Sequence, residues 1–217
     1  MKIAVLGTGM VGHAIATKLA QLGHEVTMGS RDASNPKAVE WAQGEGHRGA
    51  ATFADAAAGA ELVINATAGT ATLEVLTSAG ADNLDGKVLI DVANPLDFSR
   101  GFPPSLAVVN TDSLGEQVQR AFPGARVVKT LNTMNCEVMV DPARVGGGEH
   151  DVFVAGDDDV AKAAVKELLA SFGWSPEHIY DLGGIAAARG TEMYLPLWLS
   201  VMQNLGNGDF NVKIVRD

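Results

Sequence analysis

The chain has one cysteine, Cys136, in 217 residues. No internal disulfide can form, and the composition fits a reducing, cytoplasmic setting. No uninterrupted apolar run reaches the length that spans a bilayer, although 47% of the residues are hydrophobic. No charged-then-apolar leader precedes the first apolar run. Basic residues are in deficit, with 16 Lys and Arg against 26 Asp and Glu and a net charge of −10. That balance argues against nucleic acid or an anionic membrane as a partner. Solenoid repeats and low-complexity tracts are missing. The five histidines, His13, His24, His47, His150 and His178, show no metal-ligand or triad arrangement. What remains, at a mean hydropathy of +0.11, is the composition of a soluble enzyme. Its length suits one large domain, or one domain with a small appendage.

What the chain does have is concentrated at its start. Lys2-Ile3-Ala4-Val5-Leu6 is a short apolar run, followed by Gly7-Thr8-Gly9-Met10-Val11-Gly12. This is a strand, a G-x-G-x-x-G turn and the start of a helix, the order required of a dinucleotide-binding unit. Gly7 permits the tight turn, Gly9 leaves room for a pyrophosphate, and Gly12 lets the helix pack on the strand. The helix N-terminus offers unpaired N–H groups and a positive dipole end. Ala14, Ile15, Leu19 and Leu22 then form an apolar helix side, Gly23-His24 a stop, and Glu25-Val26-Thr27-Met28 a second strand.

The residues after the second strand select the cofactor. An NAD protein usually has an acidic residue there for the ribose hydroxyls. Here the run is Gly29-Ser30-Arg31-Asp32. Ser30 can donate to a phosphate and Arg31 can bind one through its planar fork, so the pattern points to the 2′-phosphate of NADP. Lys37 could add a second positive charge. Asp32 could pair with Arg31 or bind a ribose itself.

The rest of the chain alternates strand and helix. Helices are expected over 36–43, 52–58, 70–78, 114–122 and 160–172. Strands are expected over 61–66, 87–92, 125–131, 151–156 and 178–182, with loops over 44–49 and 94–104. This is the doubly wound α/β pattern. Ligands in such folds sit beyond the carboxyl ends of the strands. Three loops therefore become site candidates: Thr67-Ala68-Gly69-Thr70, Ala93-Asn94-Pro95-Leu96, and Asn132-Thr133-Met134-Asn135-Cys136. Residues 185–205 read as one long helix, kinked at Pro196 and apolar around nearly its whole circumference. Such a helix is buried, shared between subunits, or an apolar wall for a planar substrate.

Several segments together resemble one family. They are the 7–12 glycine turn, Gly23-His24-Glu25-Val26 with Gly29-Ser30-Arg31, and Val127-Val128-Lys129 leading to Asn132-Thr133. Further on come Val154-Ala155-Gly156-Asp157-Asp158, Asp181-Leu182-Gly183 with Ala188-Arg189 and Glu192, and Pro196-Leu197. Gly206-Asn207-Gly208 with Lys213-Ile214 closes the set. The chain resembles the coenzyme F420-dependent NADP oxidoreductases, which move a hydride between NADP(H) and the deazaflavin F420.

The resemblance implies a Rossmann-type, mainly parallel sheet over residues 1–134 that binds NADP. A smaller α/β or helical part over 135–217 would serve substrate binding and dimerisation. It implies that Thr8, Gly9, Met10 and Val11 touch the pyrophosphate, and that Ser30 and Arg31 hold the 2′-phosphate. The deazaflavin would lie in an apolar cleft between the two parts. Asn94 and the loop 67–69 complete the cofactor set; Asn132, Met134, Asn135 and Cys136 are the substrate candidates. Hydride transfer between stacked rings needs proximity more than an acid or base, so no catalytic acid is assigned. The family tends to carry a proline–alanine pair where this chain has Asn135-Cys136. Two other classes stay open. One is an NADPH reductase of a flavin, imine or carbonyl compound, with Lys129 or Asp91 as its candidate catalytic groups. The other is a non-catalytic NADP-binding sensor.

Overall fold

A computed structural model describes residues 1–217. The chain begins with β1 (Lys2–Leu6), α1 (Met10–Gln21), β2 (Glu25–Ser30), α2 (Pro36–Ala42), β3 (Arg48–Thr52) and α3 (Phe53–Gly59). Next come β4 (Leu62–Asn65), α4 (Thr72–Ala79), α5 (Ala81–Leu84), β5 (Val88–Asp91), β6 (Leu96–Asp97) and β7 (Ser105–Leu106). The remainder is α6 (Leu114–Ala121), β8 (Arg126–Thr130), α7 (Cys136–Val140), β9 (Val152–Ala155), α8 (Asp159–Phe172), β10 (Ile179–Asp181), α9 (Ala188–Met193) and α10 (Leu195–Leu205).

Eight strands form one sheet in the order β10-β9-β8-β5-β4-β1-β2-β3. All neighbours are parallel except β8 and β9, whose antiparallel pairing sets Thr130 against Val154. The sheet thus runs through residues on both sides of 134. Its strands alternate across two apolar layers. Ile3 and Val5 face the layer of α1, α7 and α8, while Ala4 and Leu6 face that of α3, α4 and α6. Burial on both faces explains the near-continuous apolar runs of β1, β4 and β5.

Chain order steps outward from β1 to β2 and β3, then returns to β4 on the other side of β1. The carboxyl ends of β1 and β4 therefore flank the reversal of direction, where open α/β sheets hold their ligands. Helix caps follow local chemistry. Asn35 accepts from Lys37 and Ala38 N–H ahead of Pro36 in the first turn of α2. Ser113 caps α6, its Oγ accepting from the Glu116 N–H and donating to the Glu116 carboxylate at 2.8 Å. Asp158 caps α8, which ends at Gly173 in the left-handed region at φ 109°.

Four sequence expectations are corrected. The loop expected over 44–49 gives way to β3 at Arg48, an edge strand whose five residues are all half-buried. Its Gly49-Ala50-Ala51 centre carries no apolar alternation, so nothing announced it. The loop over 94–104 contains one arm of a short hairpin, with Leu96 opposite Leu106. The loop 132–136 ends in a helix, α7, which begins at Cys136 with Asn135 as its N-cap. The single helix over 185–205 is a 3₁₀ turn and two helices, broken at Tyr194. Tyr194, with helical φ −65° and ψ −26°, is shared by both helices, so the interruption falls two residues before Pro196, beside the expected kink. α10 is not buried all round: Leu195 and Leu199 are buried while Leu197 is 59% exposed.

Candidate nucleotide and hydride-acceptor site

The glycine turn is built as its spacing predicts. Gly7 has φ +123°, and a Cβ there would lie 2.5 Å from the Ala66 carbonyl oxygen. A Cβ on Gly12 would collide with the Gly7 carbonyl oxygen, so this glycine lets α1 lie against the turn. Gly9 differs: a Cβ there meets nothing within 4 Å. The space above it is open, as a phosphate-bearing ligand requires. Gly9 is also the N-cap of α1, with no side chain capping the helix and no acidic residue in its first turn. The N–H groups of the first turn are left to an anion.

Two adjoining cavities cross this turn. The first, about 330 Å³, is lined by Gly7, Thr8 and Gly9, by Ser30, Arg31 and Asn35, and by Phe53 with Val75. The second, about 270 Å³, is mostly apolar, with Val11, Leu96, Phe98, Met134 and Met139 around Gly69 and Asn94. Both are walled by Ala66, Thr67 and Ala68, so together they form one groove over the ends of β1, β4 and β5.

At the first end Arg31 is exposed and pairs with no carboxylate. Asp32 does not compete for it. Its carboxylate accepts from Ser34 N and Oγ, both at 2.8 Å, and these bonds hold its pKa below the ordinary carboxylate value. Ser30 is buried and donates from Oγ to the Asp32 carbonyl at 2.6 Å. Lys37 lies outside this cavity. It borders a neighbouring recess with Thr8, His13 and Arg48. Open backbone at Gly9, a free helix N-terminus and an unpaired guanidinium fit a 2′-phosphorylated dinucleotide.

At the second end Gly69 lies tight against neighbouring backbone, and a Cβ there would strike the Asn94 carbonyl. Asn94 in turn clasps Asn132, donating to its carbonyl at 2.8 Å and accepting from its amide at 2.9 Å. Met134 and Asn94 line the groove. Asn132 is buried behind it. Asn135 and Cys136 point elsewhere. Asn135 caps α7 and donates to the Gly208 carbonyl at 2.5 Å, tying down the C-terminal segment. Cys136 is half-buried beside the α1–α8 core. Burial and the neighbouring Glu137 charge raise its thiol pKa, so it stays protonated at neutral pH. Met10 is 81% exposed and borders neither cavity.

Lys129 and Asp91 do not reach the groove. Their side chains are fully buried and paired at 2.8 Å, and Glu192 makes a second contact to Lys129 at 2.8 Å. Burial disfavours the ammonium, but the two carboxylates outweigh it and hold the Lys129 pKa above its ordinary value. Residues that sequence reasoning missed are Asn35, Phe53, Val75, Phe98 and Met139. Asn35-Pro36 was a readable helix start one turn beyond Arg31. Phe98, just after β6, had no local pattern to mark it.

This fold and groove define a Rossmann-type dinucleotide-binding protein. The family model described as NADP oxidoreductase, coenzyme F420-dependent, matches residues 2–95. F420-dependent NADP reductase of Methanothermobacter marburgensis is 32% identical over 211 residues, covering 93% of this chain and 92% of that protein. A crystal structure of a candidate F420-dependent NADP reductase from Arthrobacter sp. FB24 is 57% identical, covers both chains completely and superposes with a TM-score of 0.95. The chain belongs to the coenzyme F420-dependent NADP oxidoreductase family. Metalloreductase STEAP3 of Rattus norvegicus is 31% identical over 91% of this chain, which spans only 38% of that protein. A reductive aminase from Aspergillus terreus, at 22% identity and a TM-score of 0.64, shares the fold. No helix is long and apolar enough to cross a membrane.

Proposed function

We propose that this protein transfers a hydride between NADPH and coenzyme F420. The supporting observation is the single groove with two unlike ends, polar and cationic at Arg31, apolar at Met134 and Phe98. In this reading Thr8, Gly9 and the first turn of α1 receive the pyrophosphate, and Ser30 and Arg31 take the 2′-phosphate, with Lys37 nearby. The wall of Thr67, Ala68, Gly69 and Asn94 directs the nicotinamide to the apolar end. NADPH supplies the hydride at nicotinamide C4. The side chains of Val11, Leu96, Phe98 and Met134 keep water from that atom and offer a flat apolar seat to a second ring. No acid or base of this chain is assigned to the transfer, in keeping with the burial of Lys129 and Asp91.

The same reading takes residues 135–217 as the part that completes the acceptor site and joins two copies into a cytoplasmic homodimer. Exposed Leu197 and Leu205 of α10 suit such a contact. The test is rapid mixing of the protein with NADPH and, in separate arms, F420, FMN and FAD. The expected result is loss of F420 absorbance coupled to NADPH oxidation. Turnover with a flavin alone would move the protein to the flavin-reductase reading, and no turnover in any arm would favour a sensor.

A further inference from the structure

Beneath the apolar end of the groove runs a chain of buried polar groups that the proposed chemistry does not use. Lys129 lies at its centre. Its ammonium donates to Asp91 Oδ2 at 2.8 Å, contacts Glu192 Oε1 at 2.8 Å, and donates to the Ala93 carbonyl. Three oxygens thus surround the ammonium. Asp91 Oδ1 accepts from Asn65 Nδ2 at 2.8 Å and from Ala93 N at 3.2 Å. Asn65 Oδ1 accepts from Thr67 Oγ1 at 2.7 Å. On the far side, Glu192 accepts from Leu114 and Gly115 N–H at 2.8 and 3.0 Å, at the start of α6. Lys129, Asp91, Asn65 and Glu192 are each 1% exposed or less.

The charges within this chain do not cancel: one ammonium faces two carboxylates. The N-terminus of α6 supplies the missing positive character to Glu192. Buried ion networks contribute little stability over apolar residues of the same size, so stability alone does not explain this one. Its geometry does offer an explanation. Apart from the Glu192 branch, which ends at the start of α6, its branches reach loops that wall the groove: Thr67 after β4 and Ala93 after β5, whose neighbour Asn94 clasps Asn132 in the loop after β8.

We infer that Lys129 is a positioning residue that sets the spacing of the three loops gripping the nicotinamide end of the dinucleotide. The inference rests on the assignment of this groove to NADPH. Lys129 touches no ligand; it acts through Ala93 and Asp91. The adenosine 2′-phosphate end, some loops away at Ser30 and Arg31, is outside its reach.

Calorimetric titration with two ligands separates the ends. One is NADP⁺; the other is 2′-phospho-ADP-ribose, the same molecule without nicotinamide. In the wild type the fragment should bind more weakly, and the ratio of the two Kd values reads the nicotinamide grip. Lys129→Met keeps the length of the side chain and removes its donors. It should lower that ratio by about tenfold while the fragment Kd stays within about twofold. A variant that is merely less folded raises both constants by one factor and leaves the ratio alone. Glu192→Gln, on the side of Lys129 away from the groove, should shift the ratio in the same direction by about threefold. It carries the test if Lys129→Met does not accumulate in folded form. A wild-type ratio of one, or an unchanged ratio in the folded variant, overturns the inference. Failure of the wild type to bind either ligand overturns instead the assignment of the groove.

Discussion

At the scale of single residues, the three glycines of the opening turn are not equivalent, and their differences can be measured. Gly9 has φ −79° and open space where a Cβ would sit. Gly9→Ala should therefore fold, at a cost of about 1 kcal/mol or less for the weaker N-cap. It should nevertheless lose at least about tenfold in NADPH affinity, because the methyl occupies the path of the pyrophosphate. Gly12→Ala puts a methyl into the Gly7 carbonyl and should cost about 2 kcal/mol or more in thermal or urea unfolding. Normal NADPH affinity in Gly9→Ala would place the phosphates elsewhere. Arg31 makes the second residue-scale case. A guanidinium with no protein partner can give a phosphate a bidentate, charge-assisted bond. Arg31→Ala should raise the Kd for NADPH by about ten- to a hundredfold and that for NADH by no more than about twofold. Equal effects on both cofactors would show that Arg31 does not read the 2′-phosphate.

At the scale of elements, legibility followed the strength of the local pattern. β1, β4 and β5 are buried on both faces and were visible as apolar runs, and α8 was visible from its acidic start and amphipathic body. β3 was invisible because a half-buried Gly-Ala-Ala edge has neither pattern, and its place is set by pairing with β2. The interruption between α9 and α10 was legible from Pro196, but the inward turn of α9 was not. Residues 185–205 are apolar at most positions, and what orients α9 is tertiary. Glu192 turns inward to the α6 N–H groups and Lys129, while Arg189 holds Glu116 through Nε at 2.8 Å and Nη2 at 2.5 Å. Pro196 then begins a new helix. The site shows the same division. Its phosphate end is a local motif, legible in Gly7 to Gly12 and in Ser30-Arg31. Its apolar end is assembled from β5, β8 and α7, so Phe98 and Met139 carried no joint signal. Asn135, singled out for substrate, instead caps α7 and binds the C-terminal segment, a contact that spans 73 positions in sequence.

At the scale of the whole molecule, three carboxylates of the second half of the chain, Asp112, Glu116 and Asp181, are held by cations. Arg120 bonds Asp112 through both terminal nitrogens, at 2.9 and 2.7 Å, and lowers its pKa to about 2. Arg189 lowers that of Glu116 and ties α9 to α6. At Asp181, burial pushes the pKa up, but bonds from Lys166, the Gly183 N–H and Lys162 outweigh it and bring the pKa to about 2, joining β10 to α8. In each case the folded pKa lies below the unfolded one. The stability these groups contribute is therefore complete above the unfolded carboxylate range, near pH 4, and is lost as pH falls toward 2. The Asp112 and Asp181 side chains are 29% and 33% exposed, so solvent screening limits each to about 1 kcal/mol or less. Thermal unfolding should show a Tm that holds from neutrality to about pH 5 and falls steeply below about pH 4. Asp181→Asn should lower Tm by about 2–4 °C at pH 7. The gap between variant and wild type should close by about pH 2, where the wild-type carboxylate is itself half protonated or more. A gap that stays constant down to pH 2 would mean that Asp181 does not act through its charge on Lys162 and Lys166.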